Sequence, residues 1–506
     1  MNFLLRKLPK PALIFALALP LLWLRFGHWF YLSLDEGIYL EGARRVAAGE
    51  VPYRDFFSIT GPGTFWLYGA VFHWFGTTLA AARGVLCAEL AVTCAAIYYL
   101  VRRTSGAFFA VSAALLYLAM LLTTRYPIYV THRWDANTCA LLALCCIAAS
   151  ETDARRPVRW LVAAGLLAGV AAWMTPPLIF VALALGLWIA FSPRSLRAYV
   201  AGIAIPSAAA VGALLYTGAL GGLVQALLWD TSQYSMANRL PYGALAGTFQ
   251  SFLAQGSVAA AVVHYLDSVL PNQLPGLAAV ATVVPVLAKP AFAPRRYEAM
   301  LSVGAFAALA ACYPRLGGAQ LLFASSFLWI VCASAVNDLL SPRSRNAVAC
   351  ATLFLAVTAT AVAWPRETLK SIDTPVGTLQ VSRRHFITLN DLLSTAHPGE
   401  TAFVYPYLPA LYFATGLQNP TRYAWLQPGM MSNADVQAAI IGLRNKPPRW
   451  VIWHEFTEAY ILKNWPSSDR TRLRFPEMES YLQTNYHVVT PDGVPTPGYK
   501  LMERNP

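Results

Sequence analysis

Long apolar runs recur along the first 364 positions, and they restrict the fold more than anything else in the sequence. A helix rises about 1.5 Å per residue, so roughly 20 apolar residues cross a bilayer. The spans predicted on this basis are 11–31, 80–101, 106–124, 135–150, 158–174, 176–191, 197–217, 274–288, 298–312, 318–337 and 346–364, which makes eleven, within a range of eleven to thirteen. The chain is 57% hydrophobic and 12% charged, whereas soluble domains carry roughly 25% charged residues. The composition predicts an α-helical polytopic membrane protein. Its net charge of +13 then serves membrane topology first and does not imply nucleic-acid binding. All eight cysteines lie inside apolar runs, with no metal-type spacing, so neither a disulfide framework nor a cysteine metal site is expected. The first run, Pro11 to about Tyr31, is too long for a signal-peptide core and reads as a retained helix.

Orientation follows from the basic residues. Segment 62–76 is apolar and aromatic but only 15 residues long, and reads as an interfacial or half-embedded helix. If it does not cross, the clusters Arg6/Lys7/Lys10, Arg102/Arg103, Arg155/Arg156/Arg159, Arg194/Arg197, Lys289/Arg295/Arg296 and Arg343/Arg345 all fall on one side. The positive-inside rule makes that side cytoplasmic. The N-terminus is then cytoplasmic, and 32–79, 125–134, 218–273 and the tail lie outside. Three regions result: a membrane module 1–217 with its first outer loop 32–79, a second part 218–364, and an extracytoplasmic domain 365–506. In the tail, 401–405, 449–453, 486–490 and 499–502 read as strands, and 383–395, 433–445 and 475–484 as helices, which describes a small α/β domain.

The densest charge in the first hundred residues follows the first span directly, in Leu34–Phe57. Asp35 and Glu36 stand side by side where a helix surfaces. Neighbours on a helix are about 100° apart, so one of them can face a cavity while the other pairs or caps. Asp135 is the next carboxylate on the outer side. Two carboxylates converging on an outer cavity would supply a general base and an orienting or metal-binding group. The competing reading makes Asp35 a cap of an interfacial helix and Asp135 the N-cap of the fourth span. Arg133 and Arg315 sit in short outer turns and are candidates for a phosphate, against the commoner role of snorkelling at the interface. His73 and His132 read as interfacial rather than as metal ligands.

These residues carry a resemblance. Leu34-Asp-Glu-Gly-Ile-Tyr-Leu40, Ala47-Ala-Gly-Glu-Val-Pro-Tyr-Arg-Asp-Phe-Phe57, Gly61-Pro-Gly-Thr-Phe-Trp-Leu-Tyr68, Phe75-Gly76 and Ala81-Ala-Arg83 fall in the order seen in the GT-C glycosyltransferases. The chain most resembles the branch of protein O-mannosyltransferases and the lipid A aminoarabinose transferase. The resemblance is strong over 32–104 and looser to about 217, with weaker echoes at Tyr313-Pro-Arg315, Tyr412–Gly416, Asn419–Arg422 and Pro448–Ile452. It implies a GT-C fold and an inverting transferase of the bacterial cytoplasmic membrane. Such an enzyme moves a sugar from a polyprenyl-phosphate donor to a lipid, glycan or protein acceptor at the outer face. It also implies Asp35 as general base, Glu36 in support, Asp135 as second carboxylate and a divalent metal cation as a candidate helper. Many relatives carry Lys-Pro-Pro where this chain has Thr60-Gly-Pro-Gly63. Either Arg54 or another arginine, Arg133 or Arg315, then meets the donor phosphate, or the donor is held differently. The alternatives are a polyprenyl-glycolipid transporter or flippase, or a catalytically silent glycolipid-binding homologue.

Overall fold

The computed structural model describes residues 10–124, 128–153, 155–190, 192–240, 296–363, 368–489 and 498–506. The helices of the first part are α1 (Lys10–Phe26), α2 (Leu34–Ala47), α3 (Gly63–Phe75), α4 (Leu79–Val101), α5 (Ala107–Thr123), α6 (His132–Ser150), α7 (Pro157–Met174), α8 (Ile179–Ile189), α9 (Pro193–Tyr216) and α10 (Leu220–Trp229). After the undescribed stretch come α11 (Arg296–Ala310), α12 (Gly318–Leu339) and α13 (Pro342–Ala363). Among the described residues, α4, α7, α9 and α12 are both long and apolar enough to cross a membrane, and shorter apolar helices occupy 107–123, 176–189 and 297–310. The predicted span 274–288 lies outside the described residues. A single 3-10 turn, Pro176–Leu178, joins α7 to α8.

Segment 62–76 is indeed one short helix. At 13 residues α3 is about 20 Å long, less than the hydrocarbon thickness. Phe65, Tyr68 and Phe72 are buried against neighbouring helices, while Trp74 and Phe75 at its tip are exposed. The membrane helices pack through small residues where they approach most closely. A Cβ on Gly165 of α7 would lie 1.9 Å from the Tyr199 carbonyl oxygen, and one on Gly202 of α9 would lie 2.2 Å from the Val162 carbonyl oxygen. Without a hydrophobic drive between helices in lipid, such close backbone approach is what holds them together.

The C-terminal part opens with a hairpin that was not anticipated, β1 (Lys370–Thr374) and β2 (Gly377–Val381). It contains α14 (Arg383–Thr395), β3 (Ala402–Tyr405), α15 (Ala410–Thr415), α16 (Asn433–Asn445), β4 (Trp450–His454), α17 (Glu458–Asn464), α18 (Pro476–Asn485), β5 (Tyr486–Val488) and β6 (Tyr499–Arg504). The four-stranded sheet runs β3-β4-β6-β5, with β3 and β4 parallel and the other pairs antiparallel. The hairpin docks directly on the end of the first helix: Phe30 N–H donates to the Gln380 carbonyl and Gln380 N–H to that of His28, both at 2.9 Å.

The charged stretch after α1 is the bracket between the two parts. Ser33 caps α2 by accepting from the Glu36 N–H at 3.3 Å. Along α2, Arg44 pairs with Glu41 at 2.7 Å and donates to the Leu417 carbonyl, while Arg45 pairs with Glu50 and donates to the Thr421 carbonyl. At Gly37 the helix meets the backbone of Ala410, where a Cβ would lie 2.1 Å from the Ala410 nitrogen. Phe413 completes the contact by packing on Phe30 and Phe72. One apolar core consequently runs from the helix bundle into the C-terminal part.

Candidate active site

A cavity of about 920 Å³ lies between the helix bundle and the C-terminal part. The membrane part lines it with Asp35 and Tyr39 of α2, Ser58 and Thr60 of the loop before α3, Tyr129 and Arg133 around the start of α6, and Arg315 before α12. The C-terminal part contributes Arg384, His385, Tyr407, Gln427, His454 and Trp465.

Asp35 sits in the first turn of α2 and is exposed to the cavity. It is not the helix cap, a role taken by Ser33. Tyr129 Oη donates to Asp35 Oδ2 at 2.9 Å. Burial first, and then the Asp35 charge, push the Tyr129 phenol well above its ordinary value. Tyr129 therefore stays a proton donor and orients the carboxylate. One turn further along α2, Tyr39 stacks on His132 with ring centroids 5.1 Å apart. His132 is held by a 2.8 Å hydrogen bond between Nδ1 and Thr175 Oγ1.

Glu36 points the other way, as the 100° offset requires. It is fully buried and forms a 2.7 Å ion pair with Arg83 of α4, which is also buried. Arg83 donates further to the carbonyls of Trp29 and Ile128, and the Val130 N–H reaches Glu36. Burial raises the Glu36 carboxyl to about 7 despite the opposing Arg83 charge. Glu36 and Arg83 thus hold α2, α4, the segment after α1 and residues 128–130 together.

Asp135 departs from expectation. It does not converge on the cavity with Asp35 and is not the N-cap of its helix. It is fully buried under α3, where it accepts from Thr64 Oγ1 at 2.7 Å and Tyr68 Oη at 3.3 Å. The reason is the same helical geometry: from His132 and Arg133, which line the cavity, two to three residues turn the side chain to another face. Arg54 is also displaced from the expected role. It is exposed, pairs with its neighbour Asp55 at 2.7 Å, donates to the Thr217 carbonyl, and does not line the cavity. His73 likewise stands exposed away from it.

Arg133 and Arg315 do line the cavity. Arg133 lies over the Phe323 ring at 6.0 Å and makes no ion pair among the described residues. Arg315 anchors one arm by donating Nη2 to the Asn464 carbonyl at 2.8 Å, and its buried Nη1 has no partner. A fork with one anchored and one unmet donor suits an anion such as phosphate. Tyr129, Tyr39 and the C-terminal side chains were missed in the sequence. Tyr129 lies in the aromatic segment just before Arg133, a weak signal; Gln427 and His454 are brought in by tertiary contact from the C-terminal part, far from Asp35 along the chain.

Among the described residues no cluster of three or more His, Cys, Asp or Glu side chains is placed to hold a metal, and Glu455, the other carboxylate on the lining, is paired with Lys500 at 2.6 Å.

Residues 60–220 match the family model described as dolichyl-phosphate-mannose-protein mannosyltransferase. A search of curated proteins finds no match. Among solved structures, the chain is similar to ArnT from Cupriavidus metallidurans bound to undecaprenyl phosphate, at 16% identity and a TM-score of 0.59 over 97% of each chain. It is also similar to the Archaeoglobus fulgidus oligosaccharyltransferase tethered with an acceptor peptide, at 12% identity and a TM-score of 0.53 over 99% of this chain and 74% of that one. The oligosaccharyltransferase AglB of the same organism, with an inhibitory peptide and a dolichol-phosphate, matches at 12% identity and a TM-score of 0.52 over 96% and 73%. The chain therefore has the fold of the GT-C membrane glycosyltransferases, and the resemblance read from its sequence holds.

Proposed function

We propose that this protein is an inverting glycosyltransferase that moves a sugar from a polyprenyl-phosphate donor to an acceptor at the outer face of a bacterial cytoplasmic membrane. The observation that carries the reading is the pairing of one oriented carboxylate, Asp35, with two arginines, Arg133 and Arg315, on a single cavity. Asp35 takes the proton of an acceptor hydroxyl as that oxygen bonds to the anomeric carbon. The bond between that carbon and the phosphate oxygen breaks at the same time, and its electron pair leaves with the polyprenyl phosphate. A phosphate leaving group needs no general acid, so one base is enough. Arg315 Nη1 and Arg133 offset the charge that develops on the leaving phosphate. The basic clusters support a cytoplasmic N-terminus and a cavity on the outer side.

The test uses purified protein in nanodiscs, a panel of radiolabelled polyprenyl-phosphate sugars and membrane extract as acceptor. Wild type is expected to transfer label from at least one donor. Asp35→Asn removes the base and should lower the rate about 10²–10⁴-fold with an unchanged melting temperature. Arg315→Met should weaken undecaprenyl phosphate binding and leave Asp35 in place. Full transfer by Asp35→Asn would move the base elsewhere. Donor binding without any transfer, with acceptor present, would overturn the enzyme reading in favour of a glycolipid-binding protein.

A further inference from the structure

The C-terminal wall of the cavity differs in chemistry from the wall that holds Asp35 and the arginines. Three of its side chains keep a buried polar atom without a partner: Tyr407 Oη, Gln427 Nε2 and His454 Nδ1. Tyr407 is 4% exposed and Gln427 is 3% exposed, and both line the cavity together with His454. They arrive from separate segments: Tyr407 follows β3, His454 ends β4, and Gln427 lies in the loop before α16. Buried polar atoms in folded proteins are almost always hydrogen-bonded, so three unmet ones gathered on a cavity are placed for a ligand.

All three groups are neutral. Tyr407 is a phenol and Gln427 an amide. Burial, followed by the nearby Arg384 charge, lowers the His454 imidazole to about 4, so it is uncharged at neutral pH. Apolar ring surface stands beside them. Phe456 and Trp465, both on the lining, lie 5.6 Å and 5.7 Å from the Tyr407 ring. Neutral donors and acceptors beside aromatic faces suit a molecule with hydroxyls at its edges and C–H bonds on its faces. An ammonium group would want a carboxylate here, and Glu455, the one on this wall, is exposed and pairs with Lys500 in solvent, where an ion pair is worth little. Arg384 also lines the cavity but is exposed to solvent, where an ion pair would be worth little.

We propose that this wall is a subsite for a neutral sugar ring, bonded by Tyr407, Gln427 and His454 and lying against Trp465. The proposal rests on the transferase reading and narrows its substrate to an uncharged sugar, whether that ring belongs to the donor or to the acceptor.

The test uses the full chain in nanodiscs and saturation-transfer NMR with methyl glycosides. The probes are neutral methyl mannoside, galactoside and arabinofuranoside, cationic methyl glucosaminide and anionic methyl glucuronide. Undecaprenyl phosphate binding is measured on the same preparations. Wild type should bind at least one neutral glycoside better than either charged one, a comparison that needs no variant. Tyr407→Phe and Gln427→Met should each weaken that binding about 3- to 10-fold and leave undecaprenyl phosphate binding unchanged. A polyprenyl-phosphoryl hexose that displaces the glycoside assigns the ring to the donor; a glycoside that stays bound beside it assigns the ring to the acceptor. The proposal is overturned if no neutral glycoside binds, if a charged glycoside is preferred, or if both folded variants bind as wild type. Glycoside binding without undecaprenyl phosphate binding would instead count against the transferase reading and leave the subsite standing.

Discussion

Asp35 and Glu36 are chemically alike and adjacent, yet their surroundings separate them completely. Asp35 faces a wet cavity with one phenol on it, whereas Glu36 faces Arg83 in a dry interior. Removing one partner of a buried ion pair strands the other charge. Glu36→Ala should therefore destabilise the protein by about 3–5 kcal/mol, read as a fall in melting temperature, while Asp35→Asn leaves it unchanged. Glu36 should also make stability depend on pH. Its folded value of about 7 stands above the ordinary 4.5 of a glutamate, so the folded state holds the proton more tightly than the unfolded one. That contribution is present in full below the unfolded value and is lost as pH rises through about 7. The melting temperature of wild type relative to Glu36→Gln should fall between pH 5 and pH 8. A difference that is flat or rises across that range would contradict the assignment.

Among the elements, α2 carries the most consequence per residue, because it presents Asp35 on one face and docks the C-terminal part on another. Gly37 allows that docking by leaving the Ala410 backbone room. Gly37→Ala forces the two backbones apart and should cost about 1–3 kcal/mol. Hydrogen exchange should speed up over 410–415, and transfer activity should fall with Asp35 still present. In the membrane, α7 and α9 meet through Gly165 and Gly202. Gly165→Leu should lower the melting temperature in nanodiscs, whereas Gly212→Ala, at a position with open space beside it, should not. Elements with their own periodicity or caps were legible without tertiary information. Helices 383–395 and 433–445 stand where they were expected, because Ser382 and Ser432 cap them and amphipathic repeats follow. The β1–β2 hairpin was not legible, because it is held by backbone bonds to His28 and Phe30, and no local side-chain pattern announces such a pairing.

At the scale of the whole molecule, the cavity exists because the C-terminal part closes over the end of the helix bundle. The apolar runs, the short aromatic segment 62–76 and the acidic pair at the end of the first span were determined by the sequence alone. Each is a local matter of hydropathy, length or position, and so is readable along the chain. Only the tertiary structure decided which carboxylate serves the cavity. It turned Asp35 toward solvent, buried Glu36 on Arg83 and hid Asp135 beneath α3. It also brought Tyr407, Gln427 and His454 within the same walls as Asp35. The physical reason is that a side chain's role at such a site depends on which partner removes it from water. That partner comes from contacts made across the fold, between residues that the chain order keeps far apart.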